Sequence, residues 1–336
     1  MNMNQKILFI TVFLLSILKI NAQTEPIKIS GYAQGTTYSI TYYDKEKRDF
    51  KPEIDKLLKE FDHSVSLWDS TSVICRVNRN VPEVKLDKYF IDCFNKSQET
   101  SIGSNGAFDA TVQPLVSIWG FSIKEKGKVT KQMIDSILQF VGYKKVTLKN
   151  GKIIKTDPRL KLDFDGIAQG YSVDVVSKFL SSKGITSSLV EIGGEVYGLN
   201  KKPNDKNWVV GIEKPIDNPD SANPLKAIVK IENKGMTTAG NYRKFYEENG
   251  MKYSHTIDPK TGYPCQNTLL SVTVLADDAF TADAWDTALM VMGLDNSIKY
   301  LLNHPELQAY LIYSDEKGNY KVYETSKIKE LTTEVE

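Results

Sequence analysis

Asp283, Asp286 and Thr287 fall at i, i+3 and i+4 of the segment Ala282-Asp-Ala-Trp-Asp-Thr-Ala-Leu-Met-Val-Met-Gly293. Ala284, Trp285, Ala288, Leu289, Val291 and Met292 give the segment a helical apolar pattern, and Gly293 stops it. The spacing predicts three side-chain oxygens on one face of a helix otherwise suited to burial. Carboxylates buried together are costly unless a positive charge answers them. Between Arg243 and Lys299 the only Lys or Arg residues are Lys244, Lys252 and Lys260. The pattern therefore points to a hard divalent cation, which takes oxygen ligands. The residues leave one alternative open: polar groups near a helix N-terminus, favoured by the macrodipole.

Four further segments carry chemistry-bearing residues. Phe108-Asp109-Ala-Thr-Val-Gln-Pro114-Leu-Val-Ser-Ile-Trp119-Gly-Phe121 reads as a loop that opens on an acid and runs into a buried aromatic stretch. In Asp165-Gly166-Ile-Ala168-Gln-Gly170-Tyr171, two glycines at a helix start let backbone approach a ligand, and free N–H groups suit a phosphate. The spacing is neither the dinucleotide nor the P-loop fingerprint. Gly235-Met-Thr237-Thr238-Ala-Gly240-Asn-Tyr242-Arg243 reads as a small-residue loop that exposes hydroxyls and amides. His255 precedes the stiff turn Asp258-Pro259-Lys-Thr-Gly262-Tyr-Pro264, which suits a general base or a phosphate contact as well as a structural role. His63 and His304 read as surface residues.

The elements that position these segments are legible as mixed strands and helices without a steady β-α-β rhythm, which predicts an α+β fold. One strand, or two short ones around Gly35, is expected over 27–43, with further strands over 189–192, 196–197, 208–212, 227–231, 269–276, 310–313 and 320–323. Helices are expected over 52–66, 88–102, 129–141 with Thr130 as cap, and 165–182. Asn150-Gly151 marks a hairpin. The charged tail after Ser326 reads as loose.

Residues 1–22 read as a secretory leader: Lys6, then a twelve-residue apolar stretch, then Asn21-Ala22-Gln23. The stretch is too short to span a bilayer. No cysteine stands near it, so a lipid anchor is not expected. The remainder, 23–336, is read as a single domain with its core over about 28–325. Lys+Arg and Asp+Glu number 43 and 42. Loss of Lys6 and Lys19 with the leader leaves a net charge of about −1, which argues against a nucleic-acid partner. Cys75, Cys93 and Cys265 form no zinc or redox motif.

Taken in order, Gly35-Thr-Thr-Tyr38, Phe108-Asp-Ala-Thr-Val-Gln-Pro-Leu-Val-Ser-Ile-Trp-Gly-Phe121, Asp165-Gly-Ile-Ala-Gln-Gly-Tyr-Ser-Val-Asp174, Ile192-Gly-Gly-Glu195, His255-Thr-Ile-Asp-Pro-Lys-Thr-Gly-Tyr-Pro264 and Ala282-Asp-Ala-Trp-Asp-Thr-Ala288 resemble the ApbE family of FAD:protein FMN transferases. The resemblance spans roughly 28–325. It implies Mg2+-dependent cleavage of FAD, release of AMP, and attachment of FMN through a phosphoester to a Thr or Ser of an acceptor protein. It implies Mg2+ ligands at the Ala168 carbonyl, Asp283 and Thr287, with Asp286 beside them. FAD would lie against Gln34, Trp68, Ala107, Phe108, Asp109, Asp165, Tyr171 and Ile257, with His255 deprotonating the acceptor hydroxyl. The implied acceptors are extracytoplasmic parts of membrane redox complexes with a Ser/Thr-Gly-Ala-Ser/Thr-like target, which with the leader places the protein in the periplasm, soluble or peripherally membrane-associated. Gln34, Trp68, Gln169 and Ala239 depart from the family's usual Met, Tyr, Lys and Ser; the first two bear on how FAD is held. A Mg2+-dependent FAD pyrophosphatase, with water in place of the hydroxyl, and a non-catalytic flavin-binding protein are the rival readings.

Overall fold

The computed structural model describes residues 25–121, 129–215, 225–240, 245–248 and 251–335. The expected leader, and Tyr242 and Arg243 of the expected small-residue loop, lie outside them. The chain opens with β1 (Ile27–Ala33) and β2 (Thr36–Tyr42), then α1 (Lys51–Val65), α2 (Val73–Asn78), α3 (Lys88–Gly103), α4 (Gln113–Ile118) and α5 (Lys131–Leu138). Next come β3 (Val146–Lys149), β4 (Lys152–Lys155), α6 (Ala168–Ser182), β5 (Ser188–Ile192), β6 (Glu195–Leu199), β7 (Trp208–Glu213), β8 (Leu225–Ile231) and β9 (Lys234–Gly240). The remainder is β10 (Phe245–Glu248), β11 (Met251–Ser254), β12 (Leu269–Ala276), α7 (Ala279–Met292), α8 (Leu294–Asn303), β13 (Gln308–Ser314), β14 (Tyr320–Glu324), α9 (Ser326–Leu331) and β15 (Thr332–Glu334).

An eight-stranded sheet in the order β1-β2-β5-β6-β9-β12-β13-β14 forms the frame. Every neighbouring pair in it is antiparallel. A three-stranded sheet, β15-β8-β7, packs beside it through Val196, Trp208, Met236, Leu275 and Tyr310. The largest apolar cluster joins α7 to the α3 region through Phe90, Phe164, Ala288 and Leu289; a second seats α1 and α6 on β1 and β2 through Ile40, Ile54, Leu58 and Val176.

Local chemistry explains most boundaries. Gln34 and Gly35 sit at φ 55° and 74°, the left-handed pair of a tight hairpin turn, which splits the expected long strand in two. Thr130 caps α5 by accepting from Met133 N at 3.3 Å. The segment 235–240 is a central strand, not a loop: it pairs with β6 and β12, and Gly235 leaves room for α7 against it. The tail is also ordered: α9 follows Thr325, and β15 pairs with β8 from Thr332↔Val229 to Glu334↔Ala227. Backbone pairing and the Lys226–Glu334 ion pair at 3.0 Å hold a segment that charge alone marked as loose. Within 108–121 a helix, α4, starts around Pro114, whose missing N–H suits a first turn. Helix α6 begins at Ala168, three residues later than expected, and α7 at Ala279, because Asp278 is its cap.

Candidate functional site

Helices α6 and α7 cross in backbone contact. A Cβ on Gly170 would lie 2.3 Å from the Ala279 carbonyl oxygen and 2.7 Å from Asp283 Cβ. On the far side a Cβ on Gly235 in β9 would lie 2.2 Å from Ala279 N. Ala279, the first residue of α7, is thus clamped between two glycines. The N–H groups of that first turn are satisfied by acids: Asp174 accepts from Ala279 N and Phe280 N, both at 3.0 Å, and Asp278 accepts from Thr281 N at 2.6 Å. One turn further on, Gly170 N–H donates to Asp283 Oδ2 at 2.8 Å.

The predicted oxygen face of α7 points into the protein. Asp283 and Asp286 are 6% and 2% exposed. Thr287 Oγ1 donates to Asp286 Oδ1 over a long 3.3 Å, and the buried Thr237 of β9 faces the same carboxylate. Glu195, at the start of β6, adds a third acid whose Oε2 is buried with no hydrogen-bond partner among the described residues. Burial lifts the Asp283 carboxyl to about 7, with the Asp165 and Asp174 charges adding to the rise. Burial also lifts Asp286 and Glu195 well above the carboxylate range; Asp283 pushes on both, and Asp286 on Glu195. The acids therefore confront one another.

The turn before α6 closes over this face. A Cβ on Gly166 would stand 3.3 Å from both Thr287 Oγ1 and the Phe108 ring, so Gly166, Phe108 and Thr287 meet at one point. Ala168 begins the helix there, its N–H bonded to Phe164 O at 2.8 Å, and Asp165 is exposed beside it. Ser172 Oγ donates to Gln34 Oε1 at 3.1 Å, which brings the β1–β2 turn to the same helix end. Burial lifts Asp62 of α1 to about 6, with Gln34 beside it opposing the rise. Gln169 reaches back to Ile192 O at 3.2 Å, under Gly193.

Among the remaining predicted residues, Trp68 offers an open aromatic face, at 72% exposed. Asp109 is buried and committed to the fold: it accepts from Thr111 N at 2.8 Å, Thr111 Oγ1 at 2.6 Å and Tyr143 N at 2.7 Å. Its neighbours Ala107 and Phe108 are buried as well. Tyr171 is enclosed, its hydroxyl donating to Asp92 and its ring stacked 4.3 Å from Phe280. Ile257 packs with Leu115, Trp119 and Ile134. It bridges Pro264, while Trp119 Nε1 donates to Gly262 O at 2.8 Å and fixes the 258–264 turn. His255 precedes that turn, half-buried, its ring centroid 6.4 Å from Phe121. Lys260 Cε would be 3.7 Å from a Cβ on Gly106, so the turn borders the 106–109 loop.

The structure thus gathers Gln34, Phe108, Asp165, Ala168, Asp283, Asp286 and Thr287 around the start of α6, with Tyr171 packed beneath and Asp109 tied instead to Thr111 and Tyr143. Sequence reasoning gave no role to Glu195 or Asp62, and it expected an exposed hydroxyl at Thr237, which the structure buries in β9. Glu195 stands inside the Ile192-Gly-Gly-Glu195 segment, and an acid after two glycines at a strand start was its available signal. Among the described residues no three His, Cys, Asp or Glu side chains are grouped so as to hold a metal by themselves. The oxygen set at this site mixes carboxylates with hydroxyl and backbone oxygens.

The sequence model of the ApbE family matches residues 34–311. The chain is similar to the FAD:protein FMN transferase of Haemophilus influenzae, 32% identical over 332 residues and 95% of each chain. It is similar to that of Escherichia coli K12 at 31% over 317 residues, 91% of this chain and 89% of the other. Among solved structures it matches the flavin transferase ApbE of Vibrio cholerae with a TM-score of 0.82 at 31% identity, covering 91% of this chain and 99% of that one. The apo form of the Pseudomonas stutzeri flavinyl transferase ApbE matches with a TM-score of 0.82 at 28% identity, covering 91% and 96%.

Proposed function

The chain belongs to the ApbE family and has its α+β fold, and on that premise we propose that it is a Mg2+-dependent FAD:protein FMN transferase acting on an exported acceptor. The observation that carries the reading is the approach of the 166–170 turn to Asp283 and Thr287. Family membership supports the transfer itself. The expected leader supports export to the periplasm, and among the described residues no helix is long and apolar enough to cross a membrane.

The residues present fit a hard cation. Its donors are all oxygens, and the buried Glu195 Oε2 atom has no partner among the described residues. The Ala168 carbonyl, Asp283 and Thr287 would hold Mg2+, with Asp286 beside them. When bound, the ion supplies positive charge to the pyrophosphate and its departing oxygen.

The chain's own groups do the rest. Trp68 offers a ring face for flavin or adenine to stack on. Gln34, Ala107, Phe108, Asp109, Asp165, Tyr171 and Ile257 would line or support the FAD cleft. His255 takes the proton of the acceptor Thr or Ser, a weak nucleophile until relieved of it. The acceptor oxygen bonds to the FMN phosphorus, the bond to the bridging oxygen breaks, and AMP leaves with that oxygen. The acceptor is a Ser/Thr-Gly-Ala-Ser/Thr-like segment of a membrane redox complex.

AMP release from FAD tests the reading, measured with Mg2+ or EDTA and with or without a peptide containing Ser-Gly-Ala-Thr. AMP that needs both metal and peptide, with flavin bound to the peptide, is expected. Metal-dependent AMP without peptide makes the protein a pyrophosphatase, and no AMP at all makes it a flavin-binding protein.

A further inference from the structure

Strand β1 closes one side of the eight-stranded sheet, and among the described residues only β2 pairs with it. The parity of its backbone is fixed. Gly193 N donates to Thr37 O, so Thr37 faces β5, and its alternates Thr36, Tyr38, Ile40 and Tyr42 face β1. Their partners are Ala33, Gly31, Ile29 and Ile27. The N–H and C=O groups of Lys28, Ser30 and Tyr32 therefore point outward, and among the described residues none has a hydrogen-bond partner. The side chains at these positions are exposed, Tyr32 by 73%.

Free edges are ordinarily blunted by a bulge, a proline, inward charge or short length. Strand β1 runs seven residues in unbroken register, with Lys28 its only charge. It also leads somewhere. Its last residue abuts Gln34, whose side chain accepts from Ser172, the fifth residue of α6. A strand added along β1 would thus end beside the turn that closes over Asp283 and Thr287.

We propose that this edge docks the acceptor: an extended acceptor segment adds as a ninth strand outside β1 and delivers its Ser or Thr past Gln34 to the site. The inference rests on the transferase reading above. Continuity of the edge with the site selects the acceptor over a second copy of the chain. A target built of small residues has no large side chain to seat in a pocket, so main-chain hydrogen bonds are the recognition open to it.

Ser30→Pro tests it. The substitution deletes one outward N–H and leaves the β1–β2 ladder whole, a position where an edge strand tolerates proline. The concentration of Ser-Gly-Ala-Thr peptide needed for half-maximal flavin transfer should rise about tenfold. The melting temperature and FAD binding, read by flavin fluorescence, should stay unchanged. The wild-type protein gives a second measurement that does not depend on folding of the variant: peptides N-methylated at successive positions should lose transfer in an alternating pattern. Unchanged peptide dependence in Ser30→Pro, or no alternation, overturns the edge while leaving the transferase intact. A dimer that Ser30→Pro dissolves, with peptide dependence unchanged, gives the edge to a second copy and also overturns it. Failure of the wild-type chain to flavinylate the peptide removes the activity reading, and the proposal with it.

Discussion

Asp283 Oδ2 lies 2.8 Å from the backbone nitrogen of Gly170, and the two residues come from different helices. The bond needs the helices to touch, and they touch because Gly170 has no side chain. A glycine in α6 thus sets the position of an acid in α7.

Replacing Asp283 by Asn keeps an acceptor for Gly170 N–H and removes a charge. Metal-dependent AMP release should fall by at least about a hundredfold, while the melting temperature without metal holds or rises, since one of several mutually repelling buried acids is gone. Retained activity would place the cation elsewhere.

Gly170→Ala should act the opposite way, on the fold first. Its Cβ meets the Ala279 carbonyl at 2.3 Å, backbone against backbone, and overpacking of this kind costs about 2–3 kcal/mol. Urea denaturation of the variant against wild type measures it.

Trp68 is 72% exposed, so its ring contributes little to packing. Trp68→Ala should leave urea stability within about 0.5 kcal/mol and raise the KM for FAD about five- to tenfold, the worth of one stacking contact. An unchanged KM would remove Trp68 from the cleft.

Two acids should pull stability in opposite directions as pH changes. Arg48 Nε donates to Asp44 at 2.7 Å and holds its carboxyl at about 2, below the ordinary 3.8. Its contribution is present above about pH 4 and lost as pH falls toward 2. Asp174 is raised by burial from 3.8 to about 7, so its cost is absent below about pH 4 and grows as pH rises toward 7. Thermal melts over pH 2–8 check both: Asp44→Asn should flatten the acid limb, and Asp174→Asn the loss between 4 and 7.

The sequence was most readable where local chemistry decides. The Gln34-Gly35 turn, the Thr130 cap and the i, i+3, i+4 face of α7 follow from neighbours along the chain. It misled where distant contacts decide. Gly235 to Gly240 looks like a loop because its glycines and alanine lack strand propensity, yet β6 and β12 flank it and Gly235 admits α7. The tail looks loose because the β8 edge that holds it is a hundred residues away. Glu195 looks like an ordinary turn acid until the fold sets it near Asp283 and Asp286.

The clamp on Ala279 also bears on motion. With Gly170 on one side and Gly235 on the other, α6, α7 and β9 form one stiff block, and their amides should be among the last to exchange with deuterated water. Trp68, the 106–109 loop and the 255–264 turn stand on other elements. Whatever binds over Asp283 and Thr287 therefore meets an anvil that stays still.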